Sequence, residues 1–357
     1  MKKIFFIIDT LEAGGSERIL CGLANFFCNK YKVVLVTINQ ASYVNDFYFV
    51  NPKIKRIKIK ENLRNLDFFS RVVNTIKLLI KFKKILDKEK PDTNISFLTF
   101  SNLINVLSTR FHKKITCIIS ERINPKLIKK NNIYNILSFI FYRYADFLVV
   151  QSNIIKKTLH RYNKNQKIIY NHVRFIGENK TKNKKYNFIN ISRLDDQKNI
   201  IFLIKSFNKV LQQNKYFKLY IIGDGILRKK IKNYLVKLKL EKNIVLLGLK
   251  KNVNIFLKSS QFYIHTAKTE GMSNALLEAM SAKVPCIILQ HKSQHEFFIN
   301  KKNCFIIKSQ NEHIFANEIL KITKMKKKKI NNVINLAKES VDKLNIKKIA
   351  SKWEKLI

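Results

Sequence analysis

Short apolar runs alternate with longer amphipathic segments through nearly the whole chain. KIFFII (3–8) is an apolar run ended by Asp9 and then by Gly14 and Gly15, after which Ile19, Leu20, Leu23, Ala24 and Phe27 recur with helical period. That pattern predicts strand, glycine loop, helix. VVLVTI (33–38) predicts a second buried strand. The alternation continues with a helix around 68–88, a strand at NISFL, a helix from 101, a strand at ITCIIS, a helix from 132, a strand at FLVVQ and a helix from Asn153. Strand and helix alternating at this spacing predict a doubly wound parallel sheet.

Residues 171–185 break the pattern: they are polar, contain Gly177 and show no periodicity, which predicts a linker. Beyond them the alternation restarts at YNFINIS and continues through KLYIIG, NIVLLG, QFYIHT and PCIILQ, with helical segments between. At 357 residues the chain is past the size at which one core stops growing. The expected organisation is α/β, with two Rossmann-like doubly wound domains, 1–170 and 186–340, facing one cleft. Residues 341–357 are expected to end in a helix whose apolar face is Ile346, Ile349, Trp353 and Leu356. In parallel sheets ligands sit beyond the carboxyl ends of strands, so chemistry is sought in the loops that follow them.

Composition agrees with a folded protein, at 46% hydrophobic residues. Charge adds a question. Lys and Arg number 70 against 24 Asp and Glu, a formal net charge of +46, and such a balance attracts polyanions. Only 11 of the 70 are arginine, and the lysines are spread through nearly every segment, as on a solvated surface rather than a nucleic-acid footprint. A nucleic-acid or polyanion-binding protein stays as the rival reading and predicts salt-sensitive binding. The five cysteines form no CxxC pair and no metal-ligand spacing, which suits core residues in a reduced, cytoplasmic setting. MKKIFFIID reaches Asp9 after five apolar residues, too few for a signal-peptide core or a span. YNILSFIFYRYADFLVV is interrupted by Arg143 and Asp146, so no membrane span is expected.

EGMSNALLEAM (270–280) carries the most chemistry. It follows the predicted strand QFYIHT, so Glu270, Gly271 and Met272 fall in a turn at a strand's carboxyl end, and Ser273 or Asn274 is placed to cap the next helix. Asn274, Glu278 and Ser281 form one polar stripe on that helix, amid Ala275, Leu276, Leu277, Ala279 and Met280. At about 1.5 Å per residue, Glu278 lies roughly 6–7 Å along the axis from the first turn, with Glu270 on that turn's other side. Between them is a helix start with unpaired N–H groups, suited to an anion. A molecule with hydroxyls at both ends and phosphate in the middle matches, and a nucleotide-sugar is such a molecule. The plain alternative pairs Glu278 with a surface lysine. ISRLDDQKNI (191–200) favours the ligand, because Arg193 and Lys198 bring two cations, one a fork and one a point charge, to a strand's end. GDG (223–225) supplies a tight turn through Gly223 and Gly225, a weak signal by itself.

These residues together resemble the retaining glycosyltransferases of the GT-B fold, family 4, which build bacterial surface glycans. The resemblance covers nearly the whole length: GGSER (14–18), SER (120–122), ISRLDDQKN, GDG, and Glu270 and Glu278 in an EGxxNxxxE setting. It implies that Glu270 binds donor-sugar hydroxyls near C3 and C4, Glu278 the ribose, and Arg193 with Lys198 the diphosphate, with Glu270, Arg193 and Lys198 as the catalytic set. Gly271 to Ala275 would give backbone N–H groups to the leaving phosphate, and Gly14 and Gly15 would let backbone approach donor or acceptor. The implied partners are a nucleotide-sugar co-substrate, UDP before GDP, and a glycan or undecaprenyl-linked acceptor. No other cofactor and no metal are implied, and the chain has no Asp-x-Asp triplet of the metal-dependent GT-A kind. In such relatives the terminal helix crosses back onto the first domain. Two departures stand out: Arg122 replaces a frequent histidine, leaving it either to bind donor oxygens or to hold Glu121, and Cys304 replaces a frequent glycine. Retention would proceed by front-face attack, the departing phosphate taking the acceptor's proton, with no enzymic nucleophile.

Two further features leave alternatives open. FFSRVVNTIKLLIKFKKIL (68–86) reads either as a basic amphipathic helix on an anionic inner membrane or as a core helix with a solvated side. KMKKKK (324–329) reads as a turn between helices or a second lipid contact. His265 stands near Glu270, as a donor-site or a core histidine, while His112, His160 and His313 have no evident partner. A GT-B sugar-nucleotide epimerase would need acid/base groups that the sequence does not place.

Overall fold

The computed structural model describes residues 1–39, 46–61, 67–110, 112, 114–122, 133–174, 186–291 and 296–357. The chain divides into two units, residues 1–172 with 346–357, and residues 173–345.

Seven parallel strands form the first unit's sheet: β1 (Lys3–Ile8), β2 (Lys32–Asn39), β3 (Lys55–Glu61), β4 (Thr93–Phe97), β5 (Thr116–Ser120), β6 (Phe147–Val150) and β7 (Gln166–Ile168). Their order is β3-β2-β1-β4-β5-β6-β7. Ile4 to Ile8 are all at 0% exposure, because a parallel strand is covered on both faces and therefore reads as an unbroken apolar run. Helices α1 (Gly15–Phe27), α2 (Phe68–Glu89), α3 (Thr99–Thr109), α4 (Ile133–Phe141) and α5 (Asn153–Thr158) connect the strands. Asp67 caps α2 by accepting from the Ser70 N–H at 3.0 Å. Leu78, Phe82 and Leu86 of α2 pack with Phe5, Ile7 and Val36, and a second cluster joins Leu103 and Val106 of α3 to Tyr142 and Leu148.

The second unit repeats the plan with six parallel strands: β8 (Tyr186–Ile191), β9 (Leu219–Ile222), β10 (Ile244–Gly248), β11 (Ser260–His265), β12 (Cys286–Leu289) and β13 (Phe305–Ile307), ordered β10-β9-β8-β11-β12-β13. Its helices are α6 (Ile200–Gln213), α7 (Arg228–Lys237), α8 (Asn254–Lys258), α9 (Asn274–Ser281), α10 (Glu312–Thr323) and α11 (Lys327–Asp342). Chain order reverses direction between β1 and β4 in one sheet and between β8 and β11 in the other. These are the switch points where adjacent loops diverge and open a crevice.

The last helix, α12 (Ile346–Glu354), belongs to the first unit and packs on α1. Trp353, 1% exposed, stacks on Phe97 with centroids 5.6 Å apart, and Glu354 accepts from the Tyr31 hydroxyl at 2.6 Å. A boundary at 340/341 falls inside α11, so that helix closes the second unit. Of the expected linker, Asn171 and His172 belong to the first unit and residues 175–185 lie outside the described residues. KMKKKK runs from the turn after α10 into the start of α11. All five cysteines are buried and free.

Candidate active site

The site in the second unit is assembled at the switch point from the loops after β8 and β11. Asp195 accepts from the Lys198 N–H at 3.1 Å and starts a short 3-10 turn that ends at Asn199 in a left-handed conformation, φ 57°. Three bonds then clasp this loop to the one after β11: Lys268 N–H to Gln197 carbonyl at 2.8 Å, Gln197 Nε2 to Thr269 carbonyl at 2.8 Å, and Thr266 hydroxyl to Lys198 carbonyl at 3.2 Å. With both backbones held, the Lys198 ammonium donates to Glu270 Oε1 at 2.7 Å. On the other carboxylate oxygen, His265 Nε2 lies 2.8 Å from Oε2. His265 is the last residue of β11, 3% exposed, and its ring lies near-parallel to Tyr263.

Burial by itself would push the Glu270 carboxyl up. The charges of Lys198 and His265 and their hydrogen bonds outweigh it and hold the carboxyl well below the usual carboxylate range. Glu270 is thus a permanent anion, fixed on both sides, directly before α9. His291, near the same group and 7% exposed, is lowered to about 4, first by burial and then by the His265 charge.

On α9, Ser273 occupies the N-cap position but its side chain makes no capping bond, contrary to expectation, and Asn274 is already helical. The first-turn N–H groups are therefore not closed by that hydroxyl. Met272, Ser273 and Glu278 are buried, at 4%, 5% and 2% exposure, and Gly271, Asn274 and Ala275 are half-buried. The polar stripe of the helix faces inward, with Glu278 and Ser281 both covered.

Arg193 is placed differently. Its exposed guanidinium lies 3.3 Å from Asp195 Oδ2, not at Glu270. The glycines of GDG explain how its loop is held. Gly223 has φ +140°, and a Cβ there would sit 1.9 Å from the Ser192 carbonyl oxygen; on Gly225 it would sit 2.5 Å from that of Leu194. Leu194 N–H donates to the Asp224 carbonyl and Leu227 N–H to the Leu194 carbonyl, each at 2.9 Å. These glycines let two backbones touch.

In the first unit, Gly14 is the N-cap of α1 and Gly15 its first residue, and the Glu17 carboxylate folds back over Gly14. Arg122, after β5, is buried: Nη1 donates to Asn171 Oδ1 at 2.6 Å, the guanidinium lies 3.9 Å over the Phe97 ring, and Nε has no partner among the described residues. Burial lowers it to about 9 against the pull of Glu121. Glu121 accepts from the Thr99 and Tyr142 hydroxyls at 3.0 and 2.8 Å, and from the Arg122 N–H. Among the described residues no group of three or more His, Cys, Asp and Glu is placed to hold a metal ion.

Sequence reasoning left His265 open and missed Gln197, Thr266, Asn171 and His291. Only proximity in the fold joins these to the site. His112, without an evident partner in the sequence, contacts Asp87 at 2.8 Å.

Comparison with known proteins extends this geometry. Residues 173–340 match the family Glycosyl transferases group 1. The chain is 27% identical, over 100% of its length and 98% of the relative's, to the GalNAc-alpha-(1->4)-GalNAc-alpha-(1->3)-diNAcBac-PP-undecaprenol alpha-1,4-N-acetyl-D-galactosaminyltransferase of Campylobacter jejuni. It is 25% identical, over 99% of both chains, to the N-acetylgalactosamine-N,N'-diacetylbacillosaminyl-diphospho-undecaprenol 4-alpha-N-acetylgalactosaminyltransferase of the same organism. Among solved structures, Anabaena HepE in complex with UDP and glucose superposes with a TM-score of 0.79 at 14% identity, over 99% of both chains, a likeness of fold. The fold is the GT-B arrangement of two Rossmann-like domains, and the relatives matched along their whole length bear glycosyltransferase names. The stretch that matches the group 1 family lies in the second unit, and every residue of the Glu270 cluster falls inside it.

Proposed function

We propose that the chain is a retaining, metal-independent glycosyltransferase that moves a hexose or N-acetylhexosamine from a UDP-sugar to an undecaprenyl-linked or polysaccharide acceptor in surface-glycan biosynthesis. The observation that carries this reading is the Glu270 carboxylate, held between Lys198 and His265 directly before the start of α9. A fixed anion there accepts hydrogen bonds from sugar hydroxyls, while the N–H groups of Gly271 to Ala275 face the leaving diphosphate. Lys198, shared with Glu270, and Arg193 supply the positive charge that the departing nucleotide needs, and Glu278 takes the ribose. In the first unit, Gly14, Gly15 and Arg122 serve the donor phosphate or the acceptor. The two Campylobacter relatives bear names that give undecaprenol-linked acceptors, which supports a lipid-linked acceptor here.

The test is turnover of a panel of UDP- and GDP-sugars with polyprenyl-diphosphate-linked glycan acceptors in excess EDTA, with the product anomer read by NMR. Nucleotide release with an α-linked product supports the proposal. Turnover that requires added divalent metal, or an inverted product, overturns metal independence or retention respectively.

A further inference from the structure

Arg122 is buried without a counter-ion. It is 7% exposed, yet among the described residues its guanidinium has one polar partner, the neutral amide oxygen of Asn171, which also accepts from Gln151. The neighbouring Glu121 carboxylate is turned to other donors, the Thr99 and Tyr142 hydroxyls and the Arg122 backbone N–H. The ten residues that follow, INPKLIKKNN (123–132), carry three lysines and no acid. Buried charges are ordinarily paired, and one left alone is costly to the fold. Burial lowers Arg122 to about 9 for the same reason.

The guanidinium is nonetheless held in one orientation. A flat face lies 3.9 Å over the Phe97 ring, which is backed by Trp353 at 5.6 Å. Nη1 donates to Asn171 at 2.6 Å. Nε, which shares the remaining edge with Nη2, has no partner among the described residues. That edge is the fork that meets a carboxylate or phosphate with two parallel hydrogen bonds. The contact with Phe97 accounts for the flat face and satisfies no N–H.

Its place in the fold is where a ligand belongs. Phe97 ends β4, Arg122 stands two residues past β5, Gln151 directly follows β6, and Asn171 stands three residues past β7. The carboxyl ends of four neighbouring parallel strands therefore set the guanidinium, on the edge of the sheet where ligands sit. Arg56 of β3, in the same unit, shows the structural alternative. It is given an acid, Asp46, and the Leu35 carbonyl. Arg122 is given a plane and one neutral acceptor.

We propose that Arg122 is a specificity-determining residue whose Nε/Nη2 edge takes an oxyanion of a substrate, a carboxylate on an acidic sugar or a phosphate on its carrier. A neutral hydroxyl in that position would leave the buried cation without a counter-charge, so the substrate class is anionic at this point. Naming the substrate as a sugar rests on the function proposed above, whereas the oxyanion site stands on the geometry of the first unit alone.

The experiment is a ligand-detected NMR titration of the purified full chain at about 0.15 M salt, with glucuronate, methylenediphosphonate and neutral glucose as probes. The wild type is compared with Arg122→Gln and with Arg122→Lys, which keeps the charge and loses the fork. UDP is titrated alongside. The wild type is expected to bind one anionic probe saturably and glucose not at all, and both variants to lose about tenfold in that affinity while binding UDP within a few-fold. A loss for glucuronate assigns a sugar carboxylate and a loss for methylenediphosphonate a phosphate, and either supports the proposal. Anion binding that Arg122→Gln leaves unchanged overturns it, since the net charge of +46 then holds the probes loosely. Wild-type affinity in Arg122→Lys also overturns it, because a point charge then suffices, and that variant decides where Arg122→Gln melts early. No saturable anion binding by the wild type overturns it as well. A wild type that binds an anion through Arg122 but no UDP contradicts the donor-site reading and leaves this one standing.

Discussion

Lys198 and Glu270, 72 residues apart in the chain, meet at 2.7 Å across the switch point of the second sheet, with the lysine and glutamate side chains only 12% and 17% exposed. Removing Glu270 alone strands the Lys198 ammonium, and removing Lys198 alone leaves the Glu270 carboxylate with His265 on one side only. Lys198→Met is predicted to cost about 3 kcal/mol in urea denaturation and about 100-fold in kcat/KM for the donor. Lys198→Met/Glu270→Gln should be less destabilised than the sum of its single variants, because the second change removes the stranded anion. Additive costs in that cycle would show that the contact carries no coupling.

Acid sensitivity should come from two histidines. Burial lowers His172 to about 4, with Arg18 and Arg122 adding to it against a bond to the Ile19 carbonyl, and His291 falls to about 4 likewise. Both are depressed below the usual value of about 6.5. Between those values the unfolded chain binds more protons than the folded one, so stability rises with pH through that window and is lost as pH falls. Each histidine should remove roughly 2 kcal/mol between pH 7 and pH 5. Glu270 is also depressed, so its contribution is intact above the unfolded carboxyl value and is lost only at pH below about 4. Urea midpoints at pH 5 and pH 7 check this, and His172→Gln should flatten the difference by about half.

Gly223→Ala is predicted to destabilise by about 2 kcal/mol or more, since the new Cβ meets a backbone carbonyl in a conformation that side chains avoid. The displaced 192–194 segment carries Arg193, so UDP affinity should fall as well. An unchanged melting temperature would contradict the contact.

Arg122→Met is the converse case. Burial already disfavours the Arg122 charge more than Glu121 favours it, and Asn171 Oδ1 still accepts from Gln151, so the melting temperature should stay near that of the wild type while transfer falls at least about tenfold. Full activity would leave Arg122 as a strut between Phe97 and Asn171 and nothing more.

Most of the fold was legible because parallel strands covered on both faces announce themselves as apolar runs, as KIFFII and VVLVTI do. The three strands not anticipated lack that signal. β3 is KRIKIKE, an edge strand alternating lysine with isoleucine, and β7 and β13 have three residues each. The site was legible where a charged residue interrupts an apolar context, as Glu278 does, or ends a strand, as Lys198 does. It was not legible where the role depends on a partner far away in sequence. His265 beside Glu270 was half visible, but Asn171 beneath Arg122, 49 residues on, was not. Ser273 shows the opposite failure, a residue of the right type at the right position whose hydroxyl makes no cap.

The most direct measurement is donor turnover by Glu270→Gln in EDTA, set beside its calorimetric affinity for UDP. If Glu270 holds the sugar and Lys198 with α9 holds the nucleotide, the variant should still bind UDP within a few-fold of the wild type, while transfer falls about 100-fold. Transfer at the wild-type rate would remove Glu270 from the site, and with it the reading of the cluster as a donor-binding centre.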